Sequence, residues 1–279
     1  MSNEILSDSG SVQAKGSCSI SLDTHKAEAS EVLRWLTLDD PHAKQREAAS
    51  KRLPGTGGLF LMSPIFIRWL IDDYQTLFCP GAPGSGKTMI ASMVVDKLID
   101  SFQADSTVSI AYFYCSWHQE DQGTERLLGS IVQQLGCRLQ SMPSSLLDVY
   151  QHHSAKATHP SITELFDVLK TVVARMSKVY LVIDALDELS STSRRALLPR
   201  LFTMQSKARV NILGTSRPLP DIVSRFENYP SLDLSGGDIY QDIRRYIDES
   251  MPKLPAFVLR SPELQEKIKE YVISKSYRK

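Results

Sequence analysis

Eight residues, GAPGSGKT from Gly81 to Thr88, restrict the possible folds of this chain more than any other stretch. They fit the pattern GxxxxGK[ST], with Gly81, Gly86, Lys87 and Thr88 at the fixed positions. Glycine lets the backbone turn without a Cβ, so successive amide N–H groups can point inward at phosphate oxygens. A helix starting near Gly86 adds unpaired N–H groups and the positive end of its dipole. In this reading the loop residues Gly81, Ala82, Pro83, Gly84, Ser85 and Gly86 cradle phosphate. Lys87 reaches the β and γ phosphates, and the Thr88 hydroxyl ligates Mg²⁺. The bland alternative is a glycine loop beside a solvated lysine, and the flanks argue against it. QTLFCP (Gln75 to Pro80) is a short apolar run of strand type, and MIASMVVDKLI is apolar on nearly every side, as a helix packed under a sheet should be.

With 279 residues, 42% hydrophobic and 23% charged, the chain can bury a sizeable core as one large or two small domains. Its 32 basic residues balance 32 acidic ones, which gives no electrostatic reason to expect nucleic acid or an anionic membrane as partner. The pairs Arg194/Arg195 and Arg244/Arg245 read as solvated helix faces. Cysteines 18, 79, 115 and 137 form no CxxC, and two lie in apolar strand-like runs, which points to reduced, buried thiols in a cytoplasmic protein. His152 and His153 fall in the polar run QHHSAKATHP, read as a loop. The amino end, MSNEILSDSG, lacks the basic and apolar regions of a secretory signal, and no apolar stretch is long enough for a membrane span.

In chain order, residues 1–28 read as a disordered tail and 29–75 as a helical preface. Within the preface, EVLRWL forms a short helix, Asp40–Pro41 caps a second, and Ser63–Pro64 opens a third that pairs Ile65 with Trp69 and Phe66 with Leu70. TVSIAYFYC (Thr107 to Cys115) is a second buried strand, followed by the polar loop SWHQEDQG. Leu127, Leu128, Ile131, Val132 and Leu135 repeat at helical spacing, and Pro143 to about His152 makes another helix. Ser161 and Glu164 form a capping box ahead of a long apolar series from Leu165 to Met176.

KVYLVIDALDEL then reads as a central parallel strand whose carboxyl end delivers Asp184, the acid expected to share Mg²⁺ with Thr88. A helix through Arg194 to Met204 leads to ARVNILGTSRP, a strand that delivers Thr215, Ser216 and Arg217. Arginine in that place can sense or stabilise a γ-phosphate, the alternative being a solvent-facing turn residue before Pro218. YPSLDLS (Tyr229 to Ser235) is a candidate fifth strand. Asp238 opens a helix with Ile239, Ile243, Tyr246 and Ile247, and Ser261–Pro262 opens a last one with Leu264, Ile268, Tyr271 and Val272. Strands alternating with helices imply an α/β fold on a parallel sheet.

From about Trp35 to Ile247 the chain resembles the NACHT branch of the STAND signalling NTPases, and within it the nephrocystin-type N-terminal module of fungal heterokaryon-incompatibility and ankyrin-repeat proteins. GTGGLFLMSPIFIRWL, LFCPGAPGSGKT, FYCSWHQED, LLGSIVQQL, VYLVIDALDEL, ILGTSRP and DIYQDIRRYI carry the resemblance. It implies a P-loop NTPase sheet in strand order 5-1-4-3-2, flanked by helices, occupying 76–250, with 251–279 the start of a truncated helical segment. It implies ATP and Mg²⁺ as cofactors, Arg217 facing the γ-phosphate, and Asp187 or Glu188 polarising the attacking water, Asp187 being the first choice. Ala185 stands where many related ATPases place a catalytic glutamate, so that task moves to the LDEL acids. No NKxD or TKxD string is present, which favours ATP over GTP. The function implied is slow Mg-dependent hydrolysis in a signalling switch of fungal non-self recognition or stress signalling, with self-association or a protein partner; the alternative is a non-catalytic nucleotide-binding adaptor. Family members continue into a winged-helix segment and sensor repeats. This sequence stops at Lys279, so a short protein and a truncated receptor fragment both stay open.

Overall fold

The computed structural model describes residues 29–276 apart from 38–39, 53–55, 117–122, 235–246 and 249. The expected amino-terminal tail, residues 117–122 of the SWHQEDQG loop and most of the Asp238 helix lie outside the described residues. Four parallel strands form the sheet: β1 (Thr76–Pro80), β2 (Val108–Tyr114), β3 (Lys178–Asp184) and β4 (Val210–Ser216), in the order β1-β4-β3-β2. The segment expected as a fifth strand runs along the outer edge of β1. It contributes a bridge between Phe78 and Ser231 and three backbone hydrogen bonds, Phe78 N to Pro230 O, Leu232 N to Phe78 O and Leu234 N to Pro80 O, at 2.7–3.0 Å. Pro230 has no N–H, so it adds only its carbonyl to this edge. The expected order 5-1-4-3-2 is met, with its outermost member reduced to this edge.

Strand side chains alternate between two apolar layers, as period two demands. Val179, Leu181 and Ile183 of β3 pack with Val32 and Leu33 of α1 (residues 29–36), Leu127, Leu128 and Ile131 of α6 (Thr124–Gly136), Leu165 and Leu169 of α8 (Ile162–Val173), and Leu197 and Leu201 of α9 (Ser191–Gln205). Tyr180 and Val182 point to the opposite face, where Phe60 of α3 (Gly58–Met62) and Phe66 and Trp69 of α4 (Pro64–Ile71) join Ile90, Val94 and Leu98 of α5 (Lys87–Phe102). Both faces are therefore covered, which is why the strands read as continuous apolar runs.

The helix ends follow the sequence closely. Asp40 accepts from Ala43 N at the start of α2 (Pro41–Ser50), and Ser63 accepts from Phe66 N at the start of α4. Ser161 and Glu164 make both bonds of the capping box on α8, and those bonds to Ser161, aided by His153, hold Glu164 down to about 2. One reading is corrected: His152 and His153 are not in a loop but in α7 (Ser144–Ser154). His153 is buried, its ring bonded to Thr158 Oγ1 and Glu164 Oε1 at 2.8 and 3.1 Å and stacked on Trp35, so tertiary partners extend the helix through a polar run. In the last helix, Pro262–Ser276, Leu264 and Ile268 pack against Ile247, Met251 and Val258, whereas Tyr271 and Val272 are exposed. Among the described residues no helix is long and apolar enough to cross a membrane. Cys79 and Cys115 are buried, as expected of strand thiols, while Cys137 is exposed; none of the three is in a disulfide.

Candidate functional site

Three strands bring their carboxyl ends to one side of the sheet. After β1, Gly84 and Gly86 adopt φ of 79° and 83°, a left-handed conformation that costs glycine nothing, and α5 begins at Lys87. A Cβ on Gly81 would stand 2.3 Å from Ser85 Oγ, which could rotate away, and 3.0 and 3.2 Å from Leu234 Cβ and Ser85 Cβ, so a side chain there would press on the turn. Lys87 Nζ donates to the carbonyls of Gly81 and Ala82, each at 2.9 Å, and its ammonium rests in the mouth of the loop. Burial lowers the pKa of Lys87, and the nearby Asp187 and Asp184 offset part of that.

After β3, Asp184 is 2% exposed and both of its oxygens are engaged. Thr88 Oγ1 donates to Oδ2 at 2.7 Å, and Thr215 Oγ1 donates to Oδ1 at 2.6 Å. Thr215 in turn accepts from Ala185 N at 2.9 Å, so the β4 hydroxyl fixes both the acid and the bend that follows it. Ala185 takes φ 56° and ψ 51°, unusual for a residue with a Cβ, and turns the chain into the short 3₁₀ turn Leu186–Glu188. Burial raises the pKa of Asp184, against the hydrogen bonds from Thr215 and Thr88 and the charge of Lys87. A carboxyl with a raised folded pKa gives stability that is fully present below the unfolded value of 3.8 and lost as pH rises through the folded value. At neutral pH the ionised acid is thus a cost. Asp184→Asn is expected to raise the unfolding free energy without ligand by about 1 kcal/mol, measured by urea denaturation at pH 7, and that gain should shrink toward pH 4.

After β4, Arg217 closes the site. Its backbone N donates to Asp187 Oδ1 at 2.9 Å and its Nε to Asp187 Oδ2 at 2.5 Å. The side chain of Asp187 is 3% exposed and that of Arg217 49%. Burial pushes the pKa of Asp187 up, but the Arg217 hydrogen bonds and charge outweigh it and hold the carboxyl below its usual range. Pro83, Gly84, Gly86, Lys87, Thr88, Ala185, Asp187, Glu188 and Arg217 line one cleft of about 450 Å³. Asp184 lies behind it, bonded to Thr88. The sequence-derived residues from all three strand ends are thus brought together.

Arg194 was not anticipated. Rather than lying on a solvated face, as its exposed neighbour Arg195 does, Arg194 is buried. It donates to the Leu189 and Asp187 carbonyls and to Asp221 Oδ2, the last at 2.7 Å, and so ties the acidic turn to α9 and to α10 (Pro220–Phe226). An arginine four residues after Ser190, the N-cap of α9, looks like any first-turn charge, and no local signal separates the two roles.

A family model described as "Nephrocystin 3, N-terminal" matches residues 55–217, more than half of the chain. The chain belongs to this family. The match spans the loop, the Asp184 strand and the Arg217 strand, the same stretch that builds the cleft. The chain is also 26% identical over 255 residues to the vegetative incompatibility protein HET-E-1 of Podospora anserina, an alignment that takes in 86% of this chain and 18% of that protein. It therefore spans less than a fifth of that relative's length. Among solved structures it is similar to the Aeropyrum pernix ORC1 protein in complex with DNA, with 17% identity over 80% of this chain and 55% of that one and a TM-score of 0.49. Domain III of the Thermotoga maritima replication initiation protein DnaA is similar at 15% identity, 85% and 90% coverage and a TM-score of 0.43.

Proposed function

We propose that this chain binds ATP together with Mg²⁺ in the cleft at the strand ends, hydrolyses it slowly, and uses the bound state as a signalling switch. The observation that carries this reading is the convergence of the GAPGSGKT loop, Asp184 and Arg217, from three different strands, on one cleft. Loop amides and Lys87 would hold the phosphates, and Arg217 would approach the γ-phosphate. Thr88 Oγ1 and Asp184 Oδ2, 2.7 Å apart, are hard oxygen donors of the kind Mg²⁺ takes one or two of, filling its shell with phosphate and water. Among the described residues no group of three or more His, Cys, Asp or Glu could hold a metal by itself, which fits an ion that arrives with the nucleotide. When bound, Mg²⁺ would neutralise phosphate charge. An acid of the Asp187–Glu188 pair would polarise the attacking water.

We take residues 76–250 as the nucleotide-binding unit and 29–75 as its helical preface. The likeness to a vegetative incompatibility protein supports placing the switch in non-self recognition, with self-association or a protein partner as its output. The test is a titration with ATP in Mg²⁺ and in EDTA, followed by phosphate release over hours. Mg²⁺ should tighten binding by about tenfold or more, Asp184→Asn should remove that gain, and slow release should follow. Binding indifferent to Mg²⁺ in both proteins contradicts the site assignment; tight binding with no release identifies an adaptor.

A further inference from the structure

We propose that Asp187 is a positioning residue: it holds Arg217 in place so that the arginine's terminal nitrogens are left for a phosphate in the cleft, and thereby sets the preference for a nucleoside triphosphate over a diphosphate. The proposal rests on the nucleotide reading above and refines it.

The geometry of the pair is unusual in which donors it uses. A carboxylate facing an arginine head-on takes two guanidinium nitrogens. Here Asp187 takes one, Nε, and spends its other oxygen on the backbone N–H of the same arginine. Among the described residues neither Nη1 nor Nη2 of Arg217 donates to a protein acceptor, and the side chain lines the cleft beside Lys87 and Gly84. The grip therefore fixes the base of the guanidinium and spends none of the donors farthest from the backbone.

Asp187 is itself fixed from three sides. Ala185 in its left-handed conformation sets the turn, Thr215 holds Ala185 N, and the buried Arg194 binds the Asp187 and Leu189 carbonyls. A residue meant to take a proton from water needs an oxygen open to that water. Asp187, its side chain 3% exposed, already accepts from Arg217 on each oxygen, so a proton taken there would weaken that grip. Both acids of the turn line the cleft, and with Asp187 engaged by Arg217 the water-polarising task falls to Glu188.

The experiment compares affinities for Mg·ATP and Mg·ADP in the unmodified chain, Asp187→Ala, Arg217→Ala and the double variant. Arg217→Ala should weaken ATP by about tenfold and leave ADP unchanged, the size of one charge-assisted contact. Asp187→Ala should reproduce that loss, and the double variant should be no worse than Arg217→Ala alone. Asp187→Asn, which keeps an oxygen for the Arg217 N–H, replaces the alanine variant should that one fail to fold, and should lie between it and the unmodified chain. An unchanged ATP-to-ADP ratio in the Asp187 variants overturns the proposal, as do losses that add in the double variant. So does an Asp187 variant that stops phosphate release while keeping the ratio, the behaviour of a general base. If the unmodified chain binds neither nucleotide, the nucleotide reading falls and takes this proposal with it, a pattern distinct from the others.

Discussion

Replacing Asn211 by leucine is expected to lower the free energy of unfolding by about 3 kcal/mol, although the position lies in a strand and leucine fills similar space. Asn211 sits in β4 with no exposed surface. Its Nδ2 donates to the Trp69 and Asp72 carbonyls at 2.5 and 2.7 Å, and its Oδ1 accepts from Gln75 N at 3.0 Å. These bonds satisfy backbone groups at the end of α4 and in the turn into β1. The same junction is pinned by Trp69, 2% exposed, whose Nε1 donates to Ile212 O at 2.9 Å. A leucine would leave the Gln75 N–H and the Trp69 carbonyl without this partner, while Lys178 Nζ still reaches the Asp72 carbonyl at 3.0 Å. The loss should appear as a lower urea midpoint with an unchanged slope. A change under about 0.5 kcal/mol would mean that water reaches these groups and that the junction is held by apolar packing alone.

The second large effect falls on ligand binding rather than on folding. Lys87→Ala removes the ammonium that the loop carbonyls of Gly81 and Ala82 hold in the cleft. Charge-assisted contacts to two phosphates are worth roughly 3–5 kcal/mol together, or about 10² to 4 × 10³ in affinity. Without nucleotide the same substitution should cost little stability. Burial disfavours the charged lysine, so its folded pKa lies below 10.5 and its charge at neutral pH weighs against the folded state. Loss of ATP binding with an unchanged or slightly higher unfolding midpoint is the signature of a functional residue rather than a structural one.

Much of the fold was legible because its signals are local. Asp40–Pro41, Ser63–Pro64 and Ser161 with Glu164 each satisfy orphan N–H groups within one turn, and each begins a helix where the sequence places it. The strands ending at Pro80, Asp184 and Ser216 were visible as apolar runs because both faces of the sheet are covered. What was not legible depends on partners far along the chain. Arg194 looks like a surface charge until its carbonyl partners and Asp221 are placed around it. His153 reads as loop until Glu164 and Trp35 enclose it. At the site, the sequence names both acids of LDEL but cannot say which of them pairs with an arginine. That pairing follows from how Arg217 approaches Asp187 from another strand.

Calorimetric titration of Mg·ATP into the unmodified chain and into Lys87→Ala, with thermal unfolding of both run without nucleotide, tests the site most directly. Saturable binding to the first, none detectable to the second, and equal folding of the two are expected. Equal affinity in both proteins would contradict the assignment of the GAPGSGKT cleft as the nucleotide site.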